Sequence, residues 1–155
     1  MLQHLIPVVA DDYPELIRVW ESSVRETHDF LTEQDIQEYK PLILEQYFEE
    51  LQLFCIKQDE TIAGFMGLDG FIMQMLFVDP EFRGTGIGKT LVTYAIDNFG
   101  TNAVDVNEQN QQAVGFYEYM GFEVKERFEE DAAGKPYPIL SMTLKEEMDS
   151  NYPSS

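Results

Sequence analysis

The segment Phe82–Leu91, FRGTGIGKTL, places glycines at 84, 86 and 88 between an apolar run and an amphipathic one. Alternating glycines suit neither a strand nor a helix interior, because each adds backbone freedom and packs no side chain. They suit a tight strand-to-helix turn whose amides a ligand can approach closely. The helix that follows begins with unpaired N–H groups, and its dipole favours an anion there. The segment therefore demands an α/β arrangement and points to phosphate. Three phosphate loops compete. A nucleotide P-loop, G-x-x-x-x-G-K-[ST], matches Gly88-Lys89-Thr90 but needs glycine where Arg83 stands. A dinucleotide fingerprint, G-x-G-x-x-G, matches Gly84 and Gly86 but needs glycine where Lys89 stands. A loop that holds a pyrophosphate through backbone amides alone fits every position, as would an ordinary glycine-rich turn.

The flanking sequence supplies the rest of the fold. Gln3–Val9 reads as a first strand. Asp12 opens a helix, with Glu15 three residues on as a capping-box partner, and Leu16, Trp20, Val24 and Thr27 at helical spacing. THDFL breaks it. Thr32 and Asp35 cap a second helix toward Glu50, kinked or divided at Pro41. Three strands follow as a meander: Gln52–Lys57, Thr61–Leu68 and Phe71–Val78, the second turn being Asp69-Gly70. After the glycine loop come a helix with Ile87, Leu91, Ala95 and Phe99 on one stripe, a strand at Thr101–Val106, a helix at Gln111–Met120, and a hairpin of Phe122–Phe128 with Pro138–Leu144. Gly100 and Gly121 stand just past the helix ends. The expected fold is α/β (α+β) in one domain over residues 1–145. The tail, residues 146–155, is expected to be disordered.

Composition narrows the function. With 29 Asp and Glu against 10 Lys and Arg, the net charge is −19. That disfavours a nucleic-acid surface, which needs a basic face. Acidity would attract a cationic acceptor, although its simplest use is solubility. An anionic cofactor would be repelled at long range, so it needs a local site of backbone N–H groups. No run approaches the roughly 18 apolar residues of a membrane helix. The N-terminus lacks a basic secretory leader, and the single Cys55 lies in an apolar run as a buried structural thiol. Both suggest a cytoplasmic location. No pair of His or Cys has metal-ligand spacing, so no metal is expected.

With these residues in view, the chain resembles the GNAT superfamily of acetyl-CoA-dependent N-acetyltransferases, and within it the small bacterial stand-alone enzymes. Arg83-Gly84-Thr85-Gly86-Ile87-Gly88 matches its R/Q-x-x-G-x-G/A loop, and Leu76-Phe77-Val78-Asp79-Pro80 its L-x-V-x-P strand end. Asn110, Ala113, Tyr117 and Gly121-Phe122 match N-x-x-A-x-x-x-Y-x-x-x-G-F. The resemblance spans about Leu2 to Leu144. It implies a mixed, mostly antiparallel sheet of six to seven strands flanked by about four helices, with a V-shaped splay between the fourth and fifth strands. It implies acetyl-CoA as cosubstrate. Leu76, Phe77 and Val78 would hold the pantetheine arm, the amides of Arg83 to Lys89 (through Gly84, Thr85, Gly86, Ile87 and Gly88) the pyrophosphate, and Asn110 the arm from the next helix.

Acetyl transfer requires a neutral amine, a stabilised oxyanion and a protonated leaving thiolate. Read alone, Tyr117 is a core aromatic beside Phe116. Within the motif it is the acid, since a phenol of pKa about 10 can protonate a thiolate. A strand N–H near Leu76 to Val78 would meet the oxyanion. Asp105 occupies a position where some relatives carry a base, but an ordinary carboxyl of pKa about 3.9 is a weak one for an alkylamine unless burial raises it. His28 and Tyr137 fall where the resemblance puts the acceptor pocket, although His28 could be an incidental histidine and Tyr137 could only pack. The resemblance implies as acceptor a primary amine of a small molecule or peptide, attacked directly, and the net acidity would favour a cationic one. No nucleic acid or membrane partner is expected, and the chain would be a monomer or homodimer. The alternatives are a non-catalytic CoA-binding sensor or regulatory module and, more distantly, a nucleotide hydrolase.

Overall fold

The structure, a computed structural model, describes residues 5–145. The expected start of the first strand at Gln3 and the tail from residue 146 lie outside them. Seven strands form one sheet in the order β1-β2-β3-β4-β5-β7-β6. They are β1 Leu5–Pro7, β2 Gln52–Gln58, β3 Thr61–Asp69, β4 Ile72–Val78, β5 Ala103–Asn107, β6 Phe122–Phe128 and β7 Ile139–Leu144. All neighbours are antiparallel except β4 and β5. The mixed sheet and its flanking helices agree with the expectation.

Strand alternation sends side chains to two cores. Leu16, Trp20 and Val24 of α1 (Tyr13–Thr27) and Ile36 of α2 (Glu33–Leu42) bury with Leu53, Cys55 and Phe65 on one face. Ile87, Leu91 and Ala95 of α4 (Ile87–Phe99) and Tyr117 of α5 (Gln111–Tyr119) bury with Ile56, Met66, Val104 and Met142 on the other. Each apolar stripe read at helical spacing is thus a core face. Cys55 is free and fully buried, and burial pushes its thiol up to about 11, as suits an inert core residue.

Local rules account for most boundaries. Thr32 Oγ1 accepts from the Asp35 amide and the Asp35 carboxylate from the Thr32 amide, each at 3.0 Å, so the expected capping box closes. The box expected at Asp12 and Glu15 does not form. Asp12 instead accepts from the Val9 amide at 3.0 Å across a 3₁₀ turn, Ala10–Asp12. Glu15 reaches across to accept from the Ile62 amide of β3 at 2.9 Å, tying α1 to the sheet. Past Pro41 the second helix widens into a π turn, Ile43–Tyr47, before a last turn, α3 (Phe48–Glu50). The missing N–H of proline removes one helical hydrogen bond, and widening absorbs that loss without a break.

Candidate active site

The site begins with a fault in β4. Gly67 pairs with Met75 and Leu68 with Met73, which leaves Gln74 as an extra residue. Such a bulge bends and twists its strand. β5 pairs with β4 only before it, at Ile72↔Ala103 and Met73↔Val104. Beyond Gln74 the two strands part. β5 continues against β7 through Asn107, while β4 runs on to Val78 with one edge unpaired. This is the V-shaped splay.

The polarity of that free edge follows from alternation. The Asp79 amide donates to Ala63 of β3 at 2.8 Å. Backbone groups point to opposite sides at successive strand residues. Phe77 therefore turns its backbone to β3, and Leu76 and Val78 turn theirs into the gap. The Phe77 side chain belongs to the α1 face, those of Leu76 and Val78 to the α4 face. Asp79 fixes the strand end: buried, it accepts from the Glu81 amide at 3.0 Å and from Arg18 of α1 at 3.1 Å.

The glycine loop follows as a 3₁₀ turn, Pro80–Phe82, and then the start of α4. Gly84 and Gly86 take φ of 75° and 89°, left-handed values that L side chains rarely adopt. No side chain caps α4. Among the described residues the six successive amides of Gly84 to Lys89 donate to no protein acceptor, whereas that of Arg83 is spent on Pro80 at 3.3 Å. Such a row of free N–H groups at a helix N-terminus is an anion cradle. Thr85 turns away from it, its hydroxyl donating to the Phe82 carbonyl. The Arg83 side chain pairs with Glu26 of α1 at 3.0 Å, and Lys89 lies over the Tyr119 ring.

A cleft of about 680 Å³ joins the loop, the splay and the far side of the sheet. It is lined by all the sequence-derived candidates except Thr85 and Tyr137. Such a volume is typical of a small-molecule site. Tyr117 opens on it while 5% exposed, with no protein partner for its hydroxyl among the described residues. Burial raises its phenol well above the usual range, and the charge of Asp105 adds to the effect. Asp105 is itself raised by burial, partly offset by the Gln74 amide, which reaches it at 3.4 Å across the gap. Asn110 caps α5, accepting from the Ala113 amide at 3.3 Å.

His28 closes α1 and lines the cleft. The Thr27 hydroxyl donates its one proton to the Ser23 carbonyl at 2.8 Å, so the 2.7 Å contact with His28 Nδ1 must be donated by the ring. Nε2 is then left as an acceptor. Burial lowers the pKa to about 4, so the ring is neutral at working pH. The unfolded ring titrates near about 6.5. Between these values the unfolded chain binds the extra proton, so stability falls as pH falls. A His28→Gln variant should lose about 2 kcal/mol less than the parent between pH 7.5 and 5, read by urea unfolding.

Asp131 and Tyr39, at the acceptor end, carried no signal in the sequence. Asp131 lines the cleft from the β6–β7 connection, accepting from the Ala133 and Lys135 amides at 3.0 and 2.9 Å and from the Tyr39 hydroxyl of α2. Tyr137 stands outside the cleft. Its hydroxyl donates to Asp35 and its ring packs on Phe30, so it holds the connection against α2. The cleft is thus cationic at the loop, with Arg83 and Lys89, and acidic elsewhere, with Glu50, Asp105 and Asp131.

A family model described as an acetyltransferase (GNAT) domain matches residues 21–143. The peptidyl-lysine N-acetyltransferase YjaB of Salmonella typhimurium strain LT2 is 46% identical over 128 residues, 83% of this chain and 88% of its own. The protein of the same name from Escherichia coli K12 is 42% identical over 129 residues, 83% and 87% of the two chains. The solution structure of apo YjaB from E. coli superposes with a TM-score of 0.84 at 38% identity, covering 92% of this chain and 97% of that one. The PaiA N-acetyltransferase of Thermoplasma acidophilum, solved with coenzyme A, has the same fold, with a TM-score of 0.71 at 21% identity over 92% and 99% of the chains.

Proposed function

The chain belongs to the GNAT family and is an acetyl-CoA-dependent N-acetyltransferase, and we propose that its acceptor is the ε-amine of a lysine in a peptide or protein, attacking the thioester directly. The observation that carries the acceptor is the acidic lining of Glu50, Asp105 and Asp131 opposite the anion cradle. It suits an ammonium group and repels a carboxylate. The names of the two relatives, both over 40% identical, support it.

Acetyl-CoA supplies an activated acetyl thioester, and the rest falls to residues of this chain. The free amides of Gly84 to Lys89 hold the pyrophosphate, with Arg83 and Lys89 beside it. The exposed backbone of Leu76 and Val78 pairs with the pantetheine amides as another strand would, with Asn110 and Phe77 flanking the arm. A free N–H of this edge is aimed where negative charge develops on the carbonyl oxygen. Asp105, held by Gln74, takes the ammonium proton; its raised pKa moves it toward the range of a useful base. The amine nitrogen bonds to the acetyl carbon, the carbon–sulfur bond breaks as Tyr117 gives its proton to the sulfur, and the second proton of the nitrogen leaves as the amide forms and restores the phenol. His28 Nε2 accepts a hydrogen bond from the acceptor, while Tyr137 shapes the pocket by holding the loop. We place this work in the cytoplasm, in keeping with the buried, unpaired Cys55.

The test is thiol release from acetyl-CoA with a terminally blocked peptide containing one lysine, with mass spectrometry of the product. The expected result is turnover and a singly acetylated lysine. Acetylation of small amines alone would overturn the acceptor assignment.

A further inference from the structure

The half-sheet of β5, β7 and β6 has two faces, and among the described residues helices pack on one of them. Val104, Val106, Leu140 and Met142 lie under α4 and α5. The opposite face is set by register. Asp105 pairs with Ser141 and Ser141 with Glu126. Ala103 pairs with Thr143 and Thr143 with Glu123. Asn107 pairs with Ile139 and Ile139 with Phe128. These three cross-strand rows lie side by side, and α1 packs over β3 and β4 rather than over them. Glu123, Glu126 and Phe128 are exposed. Arg127 is opposite Leu140 on the other face, engaged with Glu108 and Glu129. Against the three carboxylates Asp105, Glu123 and Glu126, the described residues of these strands and their ends add two cations, Lys125, the extra residue of the β6 bulge, and Lys145, two positions past Thr143.

We infer that this face docks the chain on either side of the acceptor lysine, and that it selects lysines with basic neighbours. The inference rests on the lysine reading above. Continuity with the site carries it, because Asp105 and Ile139 belong both to the face and to the cleft lining. Charge complementarity fixes the chemistry of the occupant. Glu126 lies two strands from Asp105, about 10 Å at ordinary strand spacing. About three residues of extended peptide span that distance. When a lysine enters the cleft beside Asp105, side chains two or three positions away stand over Glu126 and Glu123. Phe128, 47% exposed next to Ile139, offers a ring to a guanidinium.

The experiment compares two terminally blocked peptides, each with one lysine, one bearing arginines two and three positions away on both sides and the other glutamines there. The wild-type enzyme should prefer the arginine peptide about fivefold in kcat/KM through KM, as expected for two exposed charge pairs, and added salt should erode the preference. In the Glu123→Gln/Glu126→Gln double variant the preference should shrink below about twofold, with the acetyl-CoA KM and the glutamine-peptide rate unchanged. Equal use of both peptides by the wild type overturns the docking inference and leaves the lysine reading standing. Failure to acetylate either peptide overturns both. A dimer that the double variant dissociates, with peptide preference unchanged, puts a second copy on the face and also overturns it.

Discussion

Replacing Tyr117 with phenylalanine should lower kcat about 100-fold, the contribution of a positioned general acid. The ring would keep its tilted contact with Phe116 and its edge contact with Phe122, so the fold should not move. The hydroxyl bonds no described protein group, so its loss strands no buried partner. Both points separate chemistry from packing. Burial and Asp105 hold the phenol protonated across the working pH range. The same low-polarity cleft destabilises a departing thiolate and raises its appetite for that proton. The acetyl-CoA KM should stay within about twofold, because the removed atom acts on the transition state rather than on binding. Steady-state kinetics with a lysine peptide and thermal unfolding read both quantities. Turnover within threefold of wild type, with unfolding unchanged, would return Tyr117 to the core as an ordinary aromatic.

The parts of this enzyme legible in the sequence are those that local rules determine. Apolar stripes at helical spacing, the Thr32–Asp35 box and the glycines after α4 and α5 each follow from neighbours a few residues away, and each is found where expected. The two motifs flanking the glycine loop carried the family. The acceptor end was far less legible. Asp131 gains its position because a hairpin connection folds back on α2 and meets Tyr39, 92 residues earlier. Nothing local encodes that contact. Gln74 left a faint trace as the polar residue in IMQMLFV, but its role depends on the pairing of β4 with β3. The misplaced cap at Asp12 has the same origin. Glu15 satisfies every local condition for a capping box, yet the Ile62 amide of β3 offers it a partner that the helix start does not have.

Gly86 and Gly100 stand at the two ends of α4, both in the left-handed region, and alanine at each should cost stability while only one should weaken the hold on CoA. Gly86→Ala should raise the acetyl-CoA KM at least about tenfold, the equivalent of about one lost charge-assisted hydrogen bond. Gly100→Ala should leave that KM alone and lower stability. Both variants carry the strain of a Cβ at positive φ, about 1 kcal/mol. They differ in what the new methyl meets. At Gly100 it comes within 3.3 Å of the Phe71 ring, an exposed side chain free to shift, so backbone strain sets the cost. At Gly86 no protein atom lies within 4 Å. The added methyl would stand in open space beside the six free amides, and relief of strain at φ 89° would rotate those amides off their common target. The fold does not need that space filled, whereas an incoming pyrophosphate does. Isothermal titration with CoA and urea unfolding of both variants separate the effects. Unchanged CoA affinity in Gly86→Ala would mean that the row of amides holds no phosphate, and the loop would then be no more than a tight turn.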